Sequence, residues 1–258
     1  MKNSKLLRGL FLLLIVLLTT HVQATNGRLY VSTSGNNSNN GQQSTPFLTI
    51  GQAISTSVSG DTIVVLPGSY QELINFGGKN LTITSNYMFV KDTSIISSTI
   101  LDLTNATTAN GGIYNLVTNN NDKKIYGLTI TKAPKRAIAT IAKLTIEYCV
   151  FKGNGYNDAV NNTDVNHLIG VLGTSVINNC DFYNNENNAL IVNNDRYYNI
   201  AKVSNCKIHH NNFGALKDGI AFYLEGQIDV SNCSIYRNKG QAIFYIGGNT
   251  FYDGSSKK

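Results

Sequence analysis

Val203-Ser-Asn-Cys206-Lys-Ile208-His-His-Asn211 is one copy of a phrase that occurs four times in the second half of this chain. The other copies are Ile146-Glu-Tyr-Cys149-Val-Phe151-Lys-Gly-Asn154, Ile177-Asn-Asn-Cys180-Asp-Phe182-Tyr-Asn-Asn185 and Val230-Ser-Asn-Cys233-Ser-Ile235-Tyr-Arg-Asn238. An alanine follows the asparagine within four or five residues each time, and successive cysteines are 31, 26 and 27 residues apart. Ile125-Tyr-Gly-Leu128-Thr-Ile130 is a fifth, weaker copy with Leu in the Cys position. A unit of this length repeated in tandem predicts a solenoid.

Alternation within each copy predicts short β-strands. The side chains expected inside the coil are Ile146, Cys149 and Phe151, and those expected outside are Glu147, Val150 and Lys152, with a bend near Tyr148. A further strand follows each alanine, so three short strands fit one rung. The prediction is an all-β, single-stranded right-handed parallel β-helix of about eight coils.

The asparagine position falls where the chain must turn after a strand. Asn tolerates the left-handed conformation and can bond the Asn of the next rung, so Asn154, Asn185, Asn211 and Asn238 predict a ladder in the turn. The four cysteines occupy one position of successive rungs, about 4.8 Å apart, which is wider than a disulfide favours. They are expected to form a buried ladder of free thiols, with a disulfide between rungs as the alternative.

The first 24 residues predict a cleaved secretory signal, because Lys2, Lys5 and Arg8 precede an apolar run and Val22-Gln-Ala24 supplies a cleavage site. The chain is therefore expected to be secreted, or to lie at the cell surface or in the periplasm of a bacterium, with no membrane span after cleavage. A retained membrane anchor is the alternative. Three of the 21 basic residues lie in this segment, leaving 18 against 15 acidic residues. So small a surplus does not support nucleic-acid binding.

The domain prediction has three parts: the signal at 1–24, a strand and capping helix at 25–59, and the β-helix at 60–258. Pro46-Phe-Leu-Thr-Ile50-Gly-Gln-Ala53-Ile54 has helical apolar spacing to about Val58. A short amphipathic helix there would cover the open end of the first coil. The C-terminal rung has no obvious cap, which favours a partner, end-to-end self-association or a missing continuation of the coil.

The N-terminal motifs resemble a known group. Leu29-Tyr-Val-Ser-Thr-Ser-Gly35, Pro46-Phe-Leu-Thr-Ile50, Gly60-Asp-Thr-Ile63 and Pro67-Gly-Ser-Tyr70 look like the opening of pectin-lyase-like β-helix proteins. The resemblance is closest to the secreted bacterial branch that includes family 9 pectate lyases. It implies a polysaccharide lyase or epimerase acting on uronic acids, with a Lys or Arg base and a Ca²⁺ ion held by carboxylates. The same opening occurs on proteins without known catalysis, so a non-catalytic glycan-binding or surface protein is the alternative.

The resemblance directs attention to the outer face of the first strand of each rung. Lys202 beside Asp229, with Arg196 in the preceding loop, is the best candidate catalytic group. Its structural alternative is a solvated ion pair between rungs. Asp158, Asp164 and Asp195 in the long loops are the candidate Ca²⁺ ligands.

A second outward column contains Lys152, Tyr183, His209 and Tyr236. Its rings could form a platform that binds the sugars of an acidic polysaccharide, or an aromatic ladder that covers the coil. His209-His210 does not predict a metal pair, because adjacent strand residues face opposite ways unless a turn intervenes.

Overall fold

The computed structural model describes the greater part of the chain, with gaps in the long loops. The described residues are 27–106, 111–115, 122–134, 136–140, 143–155, 167–171, 174–186, 189–193, 200–212, 220–224, 227–240 and 242–246. The predicted signal at 1–24 lies outside them. No helix in this part of the chain is long and apolar enough to cross a membrane.

Three parallel sheets form the body of the molecule, and each complete coil contributes one strand to each sheet. The first sheet contains β1 (Arg28–Val31), β2 (Thr62–Val65), β5 (Thr82–Ser85), β8 (Lys123–Tyr126), β11 (Leu144–Glu147), β14 (Val176–Asn178), β17 (Ile200–Ser204) and β20 (Gln227–Ser231). The second contains β3 (Gly68–Tyr70), β6 (Thr99–Asp102), β9 (Thr129–Thr131), β12 (Val150–Lys152), β15 (Asp181–Tyr183), β18 (Lys207–His209) and β21 (Ser234–Tyr236). The third contains β4 (Ile74–Asn75), β7 (Ile113–Asn115), β10 (Ile138–Thr140), β13 (His167–Val171), β16 (Ala189–Asn193), β19 (Ile220–Leu224) and β22 (Ala242–Ile246).

The predicted right-handed parallel β-helix is confirmed, with eight strands in its longest sheet. Equivalent positions of consecutive copies are paired in register, as Ile146 with Ile177 and Phe151 with Phe182. The bend at Tyr148, whose φ is 54°, shifts the phase as predicted. As a result, Cys149 and Phe151 both point into the coil.

The capping helix, α1 (Ile50–Thr56), is also confirmed. It begins at Ile50 because the Thr49 hydroxyl accepts a hydrogen bond from the Gln52 amide. The Glu72 carboxylate accepts the amide hydrogens of Ile50 and Gly51, both at 2.9 Å. Ile50, Ala53 and Ile54 are buried against the first coil, so apolar side chains close that end of the core.

An insertion between β5 and β6 was not predicted. It contains two short helices, α2 (Tyr87–Val90) and α3 (Ser94–Ser98). Tyr87 and Ile96 pack with Tyr126 in a small apolar cluster separate from the core inside the coil. The insertion therefore covers part of the outer surface of the coil.

The asparagine ladder is confirmed in detail. Each Nδ2 group donates to the Oδ1 of the next rung, from Asn154 through Asn185 and Asn211 to Asn238, at 2.9 Å in every step. Each Oδ1 also accepts the backbone amide of the preceding rung's asparagine at 3.0–3.2 Å. The ladder thus satisfies the polar groups of a buried turn and holds neighbouring coils in register.

The prediction that these asparagines adopt the left-handed conformation is wrong by one residue. The positive φ belongs to the residue before each asparagine: Gly153 (61°), Asn184 (54°), His210 (54°) and Arg237 (53°). The asparagine side chain must point into the turn to join the ladder, so the sharp reversal is made by the exposed residue before it. This column is called the left-handed column below.

All four cysteines are free thiols. Cys149, Cys180 and Cys206 are buried, and each Sγ contacts the carbonyl oxygen two residues earlier at 3.1–3.3 Å. Burial raises the pKa of the Cys180 thiol well above its ordinary value. These side chains act as small apolar groups in the core.

We expect Asn185→Ala to lower the free energy of unfolding by about 2–4 kcal/mol, since it leaves the Asn154 amide and the Phe151 carbonyl buried without partners. Urea unfolding followed by circular dichroism measures this loss. Asn212→Ala, one residue after the ladder and exposed, is the control and should change stability by less than about 0.5 kcal/mol. Equal effects of the two substitutions would contradict the role of the ladder.

Thiol titration of the denatured, unreduced protein should find four reactive groups, because all four cysteines are free thiols in the structure. Titration of the folded protein should find fewer, since three of the thiols are buried. Two or fewer thiols after denaturation would show that the ladder oxidises.

Candidate functional site

Tyr183, His209 and Tyr236 form a continuous ring stack on the outer face of the second sheet. The centroids of Tyr183 and His209 are 5.4 Å apart with an interplanar angle of 9°, and those of His209 and Tyr236 are 5.0 Å apart at 8°. These residues are paired in register on β15, β18 and β21. Alternation along the same strands turns Phe182, Ile208 and Ile235 inward.

In the ring stack, the faces of the aromatic rings pack against one another. Both faces of the His209 imidazole are covered by tyrosine rings, so a ligand can meet only the edge of this ring. Tyr236 is 43% exposed. The structure therefore shows the aromatic ladder that the sequence suggested, while the binding of sugars by these three residues stays a prediction.

Unpaired cations surround the ring stack. Lys152 precedes it in the same column, Lys207 and Lys239 are exposed beside it, and Arg237 follows Tyr236 in the left-handed column. Among the described residues, none of these four forms an ion pair. Lys132, one coil earlier, is paired with Asp102 at 2.7 Å. Burial tends to raise the pKa of Asp102, but hydrogen bonds from Lys132 and Thr104 hold it below its ordinary value.

His209 is the centre of a short polar chain. Its Nε2 atom lies 3.0 Å from Asp181 Oδ1, and its Nδ1 atom lies 2.8 Å from Nδ1 of His210. The Asp181 Oδ1 atom is buried and accepts no well-directed hydrogen bond, so the His209 contact is its nearest compensation. The exposed fraction of the His209 side chain is 16%.

The two histidine rings meet because His210 occupies the left-handed column. The exception that the sequence argument allowed, an intervening turn, applies here, since the left-handed turn begins at His210, one residue earlier than expected. The rings are edge to face, with centroids 5.0 Å apart and an interplanar angle of 85°. The described residues contain no group of three His, Cys, Asp or Glu side chains that could hold a metal ion.

The first sheet places Lys202 and Asp229 opposite each other on β17 and β20, as the repeat predicted. Both are exposed, and no ion pair joins them in the described part of the chain. Arg196 lies outside the described residues, as do Asp158, Asp164 and Asp195. The structure thus places two of the three candidate catalytic residues side by side and does not describe the candidate Ca²⁺ ligands.

A tyrosine cluster on the outside of the first sheet was missed. Tyr87 and Tyr148 stand around Tyr126 at centroid distances of 5.1–5.8 Å. The Lys91 ammonium donates to the Tyr126 hydroxyl at 2.8 Å and lies 5.0 Å from that ring's centroid. The hydrogen bond with Tyr126 raises the pKa of Lys91. Only the phrase Ile125-Tyr signalled this cluster, because Tyr87 and Lys91 belong to the insertion.

On the same sheet, Lys124 and Glu147 form an ion pair between adjacent coils. Asn178 Oδ1 accepts hydrogen bonds from Ser204 and Asn205 on the next coil. This part of the first sheet is therefore stabilised by internal polar contacts, whereas Lys207 and Arg237 of the second sheet are exposed to solvent.

Two family models each match a part of the chain. Residues 157–255 match a family described as a right-handed beta helix region, and residues 33–76 match one described as a protein of unknown function (DUF1565). None of the curated proteins compared with the chain matches it.

Solved structures extend the likeness to most of the chain. Pectate lyase Pel9A aligns with a TM-score of 0.59 and 17% identity, covering 90% of this chain and 57% of the lyase. A pectin methylesterase in complex with a hexasaccharide aligns with a TM-score of 0.48 and 14% identity, covering 83% of this chain and 67% of the esterase. The chain thus spans just over half the length of Pel9A. Its three in-register sheets, the family match over residues 157–255 and the alignment with Pel9A show that its fold is a right-handed parallel β-helix.

Proposed function

We propose that this protein is directed at carbohydrate and binds an acidic polysaccharide along the outer face of the second sheet. The observation that carries the proposal is the row of unpaired cations beside the ring stack. Two of these cations, Lys152 and Lys207, lie on strands of this face, and Arg237 and Lys239 follow Tyr236 in the turn. None of the four has an ion-pair partner in the described part of the chain.

The dimensions of the face suit an extended polymer. Lys152 and Arg237 are three coils apart, which at strand spacing corresponds to about 14 Å. Flexible ammonium and guanidinium groups at such intervals can pair with successive carboxylates, and the tyrosine hydroxyls can bond sugar hydroxyl groups. Because these charges are exposed, each contact is weak by itself, and affinity comes from several of them together.

The fold comparison supports this choice of ligand. Pel9A is a pectate lyase, and pectate is an acidic polysaccharide. The likeness is one of fold, so the ligand class is inferred for this chain mainly from its own cations. Export through the signal at 1–24 belongs to the proposal, since a polysaccharide ligand would be met outside the cytoplasm.

Calcium is a separate part of the proposal. Asp158, Asp164 and Asp195 would be its ligands, and carboxylate oxygens are the donors that Ca²⁺ prefers. No step of binding by the cations depends on the ion. Binding assays are therefore run both with Ca²⁺ and with a chelator.

The double variant Lys207→Gln/Arg237→Gln should bind polygalacturonate about tenfold more weakly, because it removes two of the four unpaired cations. Affinity gel electrophoresis with the polymer cast into the gel measures the change. Wild-type retardation should also fall as salt rises, since exposed charges are screened within about 8–10 Å at physiological ionic strength.

Lys143→Gln serves as the control for loss of a cation away from this face. Lys143 is ion-paired with Asp122 at 2.7 Å and lies just before the first-sheet strand β11, so its loss should leave retardation unchanged. The proposal is wrong if wild-type protein migrates identically with and without polygalacturonate and alginate, in both Ca²⁺ and chelator. It is also wrong if the control and the double variant weaken binding equally.

A further inference from the structure

One ammonium group lies among the three rings of the tyrosine cluster on the first sheet. The Lys91 Nζ atom is 5.4, 5.0 and 6.0 Å from the ring centroids of Tyr87, Tyr126 and Tyr148, respectively. A positive charge over an aromatic ring, within about 6 Å of its centroid, is attracted by the negative face of that ring. Proteins recognise organic ammonium groups with several aromatic rings that share one cation. The tyrosine cluster therefore has the geometry of a cation site that the protein fills with its own lysine.

Two separate parts of the chain build this cluster. The insertion supplies Tyr87, the first residue of α2, and Lys91, which follows the last residue of that helix. One helical turn separates the two, so their side chains lie on the same side of α2, and the Lys91 amide donates to the Tyr87 carbonyl at 3.0 Å. The other two rings come from adjacent coils, since Tyr126 ends β8 and Tyr148 follows β11. The insertion thus brings an ammonium group to rings that the coil holds in place.

Tyr148 occupies a backbone position that disfavours tyrosine. Four other coils also place a residue of positive φ directly after the first-sheet strand, and these residues are Gly127, Asn179, Asn205 and Asn232, with φ between 52° and 67°. Glycine and asparagine adopt this conformation readily, whereas a bulky side chain does so at a cost in strain. Tyr148 adopts it at 54°, and its ring centroid lies 5.1 Å from that of Tyr126. Strain of this kind persists where a particular side chain is needed, and here it completes the third side of the cluster.

The charges at the cluster determine which ligand fits. Lys91 is exposed, and no carboxylate pairs with it in the described part of the chain; its ammonium is held by the rings and by the Tyr126 hydroxyl at 2.8 Å. The neighbouring Lys124 ammonium, 5.1 Å from the Tyr126 centroid, is balanced by the Glu147 carboxylate. The site therefore carries one unbalanced positive charge on a flexible side chain. A cation that displaces Lys91 from the rings binds best if it brings an anionic group for Lys91 to contact.

We propose that the tyrosine cluster binds a zwitterionic quaternary ammonium compound, whose trimethylammonium group replaces the Lys91 ammonium among the three rings. The displaced Lys91 side chain then pairs with the anionic group of the same ligand. A primary ammonium is strongly hydrated and donates three hydrogen bonds, whereas a trimethylammonium group has no N–H to leave unsatisfied. The methylated cation is therefore the better occupant of a site walled by aromatic faces. Phosphorylcholine carries both groups and is the probe used below.

The first test asks whether the rings recognise positive charge. Wild-type protein is titrated with phosphorylcholine and with 3,3-dimethylbutyl phosphate, in which carbon replaces the quaternary nitrogen, and saturation-transfer NMR of the methyl resonance measures each affinity. Phosphorylcholine should bind at least about tenfold more tightly, because the two ligands have the same shape and only one has a cation for the rings. Equal affinities would show a merely apolar surface and would overturn the proposal.

The second test removes one wall of the cluster. Tyr148→Leu should weaken phosphorylcholine binding about tenfold, because leucine keeps an apolar side chain but has no ring face for the cation. Tyr114→Leu, on β7 in the third sheet, is the matched control and should bind as the wild type does. Equal losses in the two variants would contradict the assignment of the site.

The third test removes the internal occupant. Lys91→Gln should bind choline, which has no anionic group, about tenfold more tightly than the wild type, since no lysine competes for the rings. The preference of the wild type for phosphorylcholine over choline should also fall at least about fivefold, because the cation that contacts the phosphate is gone. Lys143→Gln, whose lysine is paired with Asp122, is the control and should change neither affinity. A gain in affinity cannot come from a variant that has failed to fold.

The tyrosine cluster lies on the first sheet, so its test is independent of polysaccharide binding on the second. Tyr148→Leu should leave retardation by polygalacturonate unchanged. If neither the wild type nor Lys91→Gln binds phosphorylcholine or choline, the cluster is a structural clamp that fastens the insertion, and the proposal is wrong. Unchanged choline affinity in Lys91→Gln would equally contradict it, because the lysine would then not occupy the ligand's position.

Discussion

Stacking of equivalent residues in register is the constraint on which the rest of this structure depends. The asparagine ladder enforces this register by joining each turn to the next through two hydrogen bonds. The side-chain and backbone nitrogens of one asparagine both donate to the Oδ1 atom of the asparagine in the next coil. A shift of one residue would turn the apolar side chains of a strand outward and break these buried bonds. Register therefore follows from both the core and the ladder.

The same constraint builds the outer surface. Any residue type that recurs at an outward position becomes a column, so the two tyrosines and His209 are brought face to face without a dedicated pocket. An aromatic pair contributes about 0.5–1.5 kcal/mol beyond buried area. That amount is compatible with a structural ladder alone, and so the unpaired cations beside the ring stack carry the functional argument.

Among the described residues, both outer faces carry paired and unpaired cations, since Lys202 of the first is exposed without an ion pair and Lys132 of the second contacts Asp102. On the first sheet, Lys124 is neutralised by Glu147 and the Lys91 ammonium is held by Tyr126. On the second sheet, Lys207 and Arg237 face solvent without an ion pair in the described residues. The resemblance to lyases had directed attention to the first sheet and to Lys202. The ring stack beside Lys207 and Arg237, which a resemblance does not report, favours the second.

The repeat by itself determined the coil, its inward positions, the thiol ladder and the asparagine ladder, because each depends only on which residues recur at a fixed spacing. It also predicted that Lys202 and Asp229 are neighbours, and the strand register agrees. The insertion with α2 and α3 was not predicted because it occurs in one coil only. The His209–His210 contact depended on the tertiary structure, since the left-handed turn at His210 arises when Asn211 points inward to join the ladder. Spacing along a chain specifies which residues stack, whereas backbone dihedrals at a turn decide which side chains meet.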